Sequence, residues 1–98
     1  EQHHMKPARR AELVIVLDHG MPVLFAVPKS HRIVSFTDDE RILQPACTEL
    51  AYALQHQSKG SVSFAEMNGE SLKERNEYRR LLHAAGFVDS PQGMKLYG

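Results

Sequence analysis

Residues Leu13 to Phe36 read LVIVLDHGMPVLFAVPKSHRIVSF, and this run decides the fold. Leu13-Val14-Ile15-Val16-Leu17, Pro22 to Val27 and Ile33-Val34-Ser35-Phe36 are rich in β-branched and aromatic side chains, which suit a pleated, packed surface. Asp18-His19-Gly20 breaks the first run from the second, and Gly20 accepts a positive φ without steric penalty, as a tight hairpin requires. Pro22 is tolerated at the start of a strand, while Pro28 closes one and opens the turn that ends at Arg32. The first strand is apolar at every position, so neither of its faces suits water. It belongs in the middle of a sheet, covered on both sides or shielded by strand twist.

Downstream of Phe36 the period changes. Thr37-Asp38-Asp39-Glu40 carries oxygens able to accept the unpaired amides of a first helical turn. Leu43, Cys47, Leu50 and Leu54 then recur at helical spacing, with Ala46, Ala51 and Ala53 beside them, as one apolar stripe on a helix ending near Gln57. Pro45 would remove a bond from a helix begun at Asp39. The expected arrangement is therefore a short turn over 38–43 and a regular helix from about Gln44, with Pro45 in its first turn. Ser61 to Met67 returns to strand character, and Asn68-Gly69 is a turn signal. Ser71 with Glu74 forms a capping-box pattern that predicts a second helix, with Leu72, Tyr78, Leu81, Leu82 and Ala85 on its apolar side. Gly86-Phe87 reads as a left-handed helix cap with a hydrophobic residue behind it. Val88 to Tyr97 holds two short extended pieces around Ser90-Pro91-Gln92-Gly93, a terminal hairpin or a returning strand.

Upstream of Leu13, Pro7 and its charged neighbours offer nothing to bury, so residues 1–11 read as a flexible lead-in, a linker or a tag remnant. Residues 12–98 read as a single α+β domain: a mostly antiparallel sheet in the order βββαβα plus a short terminal β pair, with two helices packed on one face. The 98 residues suit one core. No segment approaches the roughly 18 consecutive apolar residues of a membrane helix, and Glu1 to Arg10 lacks the apolar run of a signal peptide. One cysteine, Cys47, excludes an internal disulfide and fits a reducing, cytoplasmic setting.

Charge argues against a strong nucleic-acid field, since Lys plus Arg and Asp plus Glu both number 12. Local clusters remain at Lys6-Arg9-Arg10, Lys29-His31-Arg32 and Lys73-Arg75-Arg79-Arg80. Of these, Lys29, Arg32, Arg75, Arg79 and Arg80 are the candidate phosphate contacts, because Arg75 and Arg79 share a helix face by their spacing. Glu74 and Glu77 dilute that field. The six histidines show neither a helical zinc pair nor a Cys-x-x-Cys partner, so no metal site is expected. Both glycine-rich phosphate-loop patterns are missing, and Cys47 on a buried stripe reads as a packed thiol. A small nuclease would have to pair His31 or His83 with Arg32, Arg79 or Arg80. No residue is assigned a catalytic role.

Three patches taken together resemble a known family. Val14-Ile15-Val16-Leu17-Asp18-His19-Gly20-Met21-Pro22-Val23-Leu24-Phe25 is followed by Arg32-Ile33-Val34-Ser35-Phe36. Met67-Asn68-Gly69, Leu82-x-x-Ala85-Gly86-Phe87 and Pro91-Gln92-Gly93-Met94-x-Leu96 complete the order. This arrangement is similar to the extreme C-terminal segment of the large helicase-related (Lhr) family of ATP-dependent DNA helicases, from about Glu12 to Tyr97. The chain departs from that pattern at Ser30-His31, where the family commonly has Gly-Gly, and at Gln92, where it often has Arg. The resemblance implies a non-catalytic C-terminal accessory domain downstream of motor domains that would hold ATP and magnesium, with no cofactor of its own. It implies weak, sequence-blind contact with single-stranded or duplex nucleic acid, or docking on other domains of the same polypeptide, and no membrane partner. The alternatives are a docking module without nucleic-acid contact and a small His/Arg-based nuclease. The first calls for an exposed apolar patch and the second for a cleft gathering His31, His56 and His83.

Overall fold

Four strands open the chain: β1 (Met5–Arg10), β2 (Leu13–Asp18), β3 (Met21–Val27) and β4 (Arg32–Ser35), each antiparallel to the one before. A computed structural model describes residues 5–10, 13–57, 61–74 and 77–97, the first of these runs by its backbone alone. His19 and Gly20 both take positive φ, 54° and 83°, giving the hairpin turn whose twist matches its flanking strands. Between Val16 and Leu17 the register shifts, so that β3 holds one residue more than β2 and the consecutive Val23 and Leu24 are both buried.

The flexible lead-in expected over residues 1–11 is corrected for Met5–Arg10, which pairs with the full length of β2. A central apolar strand needs backbone partners on both edges, and an edge strand supplies them whatever its side chains. Pro7 and the basic residues around it are the usual composition of a sheet edge that must not pair further.

Helix α1 (Glu40–Gln57) is continuous, which corrects the expected turn over 38–43 and later start. Asp39 is its N-cap: Oδ1 accepts from the Arg41 N–H at 2.9 Å and its carbonyl accepts from Leu43. Pro45 lies inside the helix and forfeits the bond to the Arg41 carbonyl, but Arg41 is exposed at the helix start, where water can satisfy that oxygen. Leu43, Ala46, Cys47, Leu50, Ala51, Ala53 and Leu54 are all buried, as their spacing predicts.

The chain then runs through β5 (Ser61–Phe64), turns at Ala65, and continues as β6 (Glu66–Met67) and β7 (Glu70–Ser71). Asn68 and Gly69 form a second positive-φ hairpin turn. Ser71 therefore ends a strand instead of capping a helix; its hydroxyl accepts from the Lys73 N–H, and α2 begins only at Glu77, running to Ala84. Leu72, expected on that helix, is buried ahead of it. Gly86 (φ 114°) closes α2: the Phe87 N–H donates to Leu82 and the Gly86 N–H to His83, the paired bonds of a left-handed cap. Strands β8 (Val88–Ser90) and β9 (Gly93–Tyr97) form the terminal hairpin, and β9 also pairs with β5.

The result is the expected α+β architecture with antiparallel pairing dominant. Its strands fall into two sheets, one in the order β1-β2-β3-β4-β6-β7 and the other β5-β9-β8. Only β4 and β6 run parallel. Helix α1 packs on β1, β2 and β3, and α2 on α1, β8 and β9. The core lies between, with Val16, Leu24, Ile33, Leu50, Phe64 and Phe87 among its most buried side chains.

Candidate nucleic-acid and docking surfaces

Strand pleat decides where the basic residues go. Ile33 is buried toward the helices, so the adjacent Arg32 stands on the opposite face of the large sheet, exposed and in register with Glu66. Lys29 is exposed in the 3-10 turn Pro28–Ser30, just before it. Arg79 and Arg80 belong to α2, on the helix side. Arg79 is largely buried, at 21% side-chain exposure, and its guanidinium donates to the carbonyls of Leu72 and Lys73 and to the Asp89 carboxylate. It pins the segment before α2 to β8. Arg80 is exposed, with Glu40 at 3.9 Å. Arg75 lies outside the described residues. Lys29 and Arg32 thus share one turn, and the α2 arginines occupy another surface.

His31, His56 and His83 are also spread apart. His31, in left-handed geometry, places Nδ1 2.9 Å from the Ser63 carbonyl oxygen. His56 packs edge-on against Tyr52 at 4.2 Å. His83 sits on α2, which Gln44 anchors through the Leu81 carbonyl; about 18 Å of helix separates Gln44 from His56. Among the described residues no three His, Cys, Asp or Glu side chains converge as a metal site would. Burial pushes the Cys47 thiol up to about 12. It is a packed side chain with no activating neighbour, since desolvation is the whole cause of the shift.

Two surfaces stand out instead. The first is the face of the large sheet turned away from α1. Leu13, Ile15, Leu17, Phe25 and Val34 alternate there with the buried positions and are each half-buried. Phe36 continues the row at 55% exposure, its ring 5.6 Å from that of Phe25. The first strand thus carries α1 on one face and half-buried apolar side chains on the other.

The second surface is the outward face of the small sheet. Val62, Phe64, Met94 and Leu96 turn inward, leaving Ser61, Ser63, Lys95 and Tyr97 outward. Lys95 Nζ lies 5.2 Å from the centre of the Tyr97 ring. A cavity of about 190 Å³ opens beside Lys95, lined by Ser63, Ser90, Pro91 and Gln92. His31 and Gln92 both meet Ser63 at this place: the Ser63 carbonyl lies against His31 Nδ1 and its hydroxyl donates to Gln92 Oε1 at 3.4 Å. None of these outward residues carries a motif. Only the Lys-x-Tyr alternation in β9 could have marked them in the sequence.

No helix among the described residues is long and apolar enough to cross a membrane. Compared with known proteins, the chain matches no family model, no curated protein and no solved structure.

Proposed function

We propose that this chain is a non-catalytic accessory domain of an Lhr-like ATP-dependent DNA helicase and that it works by docking. The outer face of the six-stranded sheet seats against another domain of the same polypeptide. The observation that carries this reading is the unbroken apolar row Leu13, Ile15, Leu17, Phe25, Val34 and Phe36 on the face no helix covers. The helicase parent rests on the resemblance alone. ATP and magnesium belong to the parent's motor domains, and a cytoplasmic setting accompanies the single reduced Cys47. Of the phosphate contacts read from the sequence, Lys29 and Arg32 fit a nucleic-acid role better than Arg79, whose guanidinium already holds the fold together.

The test starts with the reading frame upstream of Glu1, where motor motifs are expected; their absence removes the helicase parent. With the upstream domains expressed as a separate chain, wild-type protein should bind in trans by calorimetry. Phe36→Asp should weaken that binding about tenfold or more, the effect of burying an unpaired charge at an interface. Equal binding by wild type and variant removes the docking face.

A further inference from the structure

Asn68-Gly69 is the chain's one asparagine–glycine step; the other asparagine, Asn76, precedes Glu77. Such a step carries its own chemistry, because a glycine nitrogen has no side chain beside it to shield it from the preceding amide. A bond forms between the Gly69 nitrogen and Asn68 Cγ, the Cγ–Nδ2 bond breaks, and the Gly69 amide proton leaves with the amine as ammonia. Water then opens the cyclic imide at either carbonyl, giving aspartate or isoaspartate. Gly69 is exposed in the β6–β7 turn, and a Cβ built on it meets nothing within 4 Å, so its surroundings leave the approach open.

What restrains the reaction is the set of partners around Asn68. Oδ1 accepts from the Ser35 N–H at 2.8 Å, and Nδ2 donates to the Ser35 hydroxyl at 2.8 Å and to the Tyr78 hydroxyl at 3.2 Å. These three bonds hold the amide toward β4 and α2, and Cγ turns to the Gly69 nitrogen only once they are broken. The same bonds decide what the product does. Ser35 Oγ donates its single hydrogen to the Thr37 carbonyl at 3.2 Å. In the aspartate product an oxygen stands where Nδ2 stood, against a hydroxyl with no hydrogen left to give it. Isoaspartate instead adds a backbone carbon to the turn that pairs Met67 with Glu70.

We infer that Asn68 is a deamidation site gated by folding. The native bonds protect it, each opening of the β6–β7 hairpin exposes it, and conversion unties that hairpin from β4 and α2. Gln44 and Arg79 still hold α2 through the Leu81 and Leu72 carbonyls, so conversion weakens the fold without abolishing it. The modification is a covalent record of how often this corner of the molecule opens. It is independent of the docking reading and of any partner.

The test holds wild-type protein at mildly alkaline pH, native in one sample and unfolded in guanidinium chloride in another, and follows the Asn68 peptide by mass spectrometry. Conversion replaces an amide NH2 by an oxygen and adds a negative charge, so anion exchange separates the product. Native protein should convert about tenfold or more slowly than the unfolded chain, because three bonds must open first. In the unfolded sample Asn76 should lag behind Asn68. Tyr78→Phe keeps the ring and removes one bond; it should speed native conversion about two- to tenfold and leave the unfolded rate unchanged. The converted fraction should show a lower denaturation midpoint than unmodified protein. Comparing native with unfolded wild type needs no variant, so it decides the gating even where a thermal melt shows that Tyr78→Phe has not folded. Equal rates in the two wild-type samples, or a folded Tyr78→Phe that converts no faster than wild type, overturn the gating. Conversion in neither sample overturns the site, and a converted fraction that melts with the unmodified protein overturns the untying.

Discussion

Asn68 holds three elements with one side chain. Its Oδ1 accepts from the Ser35 N–H at 2.8 Å, and its Nδ2 donates to the Ser35 hydroxyl and to the Tyr78 hydroxyl. The same residue takes positive φ in the β6–β7 turn, where asparagine is among the few side chains tolerated. Asn68→Gly should keep the turn and lose the bonds, destabilising by about 2 kcal/mol, because the half-buried Ser35 amide is left without its partner. A urea midpoint equal to wild type would remove the role. Gly93 makes the opposite demand: a Cβ there would lie 2.4 Å from the Phe64 carbonyl oxygen and 3.2 Å from Leu72 Cβ. Gly93→Ala should cost roughly 1–3 kcal/mol of overpacking, read from the same denaturation curve. Cys47 adds a pH dependence. Its thiol titrates at about 12 when folded and near 9.0 when unfolded, so this contribution is complete below about 9 and declines as pH rises toward 12. A thiol reagent at pH 8 should therefore label Cys47 only as fast as the chain opens; rapid labelling of the native protein would contradict its burial. At this scale the sequence was partly legible. Helical spacing marked Cys47 as buried and Asn-Gly marked the turn, but the partners of Asn68 include a residue 33 positions away, which local pattern cannot reach.

Helix α1 shows how a cap and a proline are weighed. The sequence rule against interior proline favoured a late start, yet the Asp39 cap and the buried stripe from Leu43 onward hold the first turns in place. Asp39 also accepts from the Arg41 guanidinium, and these hydrogen bonds from Arg41 keep its carboxyl below the usual carboxylate range. The folded pKa is depressed, so the cap's contribution is present above the ordinary value of 3.8 and disappears as pH falls through the lower folded value. Asp39→Asn should preserve the cap and flatten this acid limb of the stability profile; Asp39→Ala should lower stability at neutral pH as well. An unaltered acid limb in Asp39→Asn would show that the carboxylate plays no part. Helix α2 begins later than the sequence predicts for a related reason. Ser71-x-x-Glu74 fits a capping box, but the Asn68-Gly69 hairpin immediately before it uses Glu70 and Ser71 as a strand. When two local signals overlap, the one completed by long-range pairing prevails.

Across the whole molecule, the α+β class was legible because three apolar strands and two amphipathic helices allow few layer arrangements. Division into two sheets was not, since nothing in Ser61 to Met67 marks the bend at Ala65, where the Ala65 N–H leaves β5 to donate to the His31 carbonyl at 2.7 Å. Strand β1 was hidden for a physical reason too, since an edge strand is recruited by the backbone of its neighbour and carries no apolar period of its own. That makes it the sharpest test of the architecture. Deleting residues 1–10 would strip the partner from all six residues of β2 and leave the most apolar strand of the chain as an open edge. With net values of about 0.5–1.5 kcal/mol per lost backbone bond across a six-residue pairing, the expected loss is at least about 3 kcal/mol, or about 10 °C or more in Tm for a domain of this size. The bared edge should also pair between copies, so size-exclusion chromatography should show association that rises with concentration. A truncated chain that stays monomeric and melts with the full-length protein would mean that β2 does not depend on β1, and the six-stranded sheet would have to be redrawn with β2 at its edge.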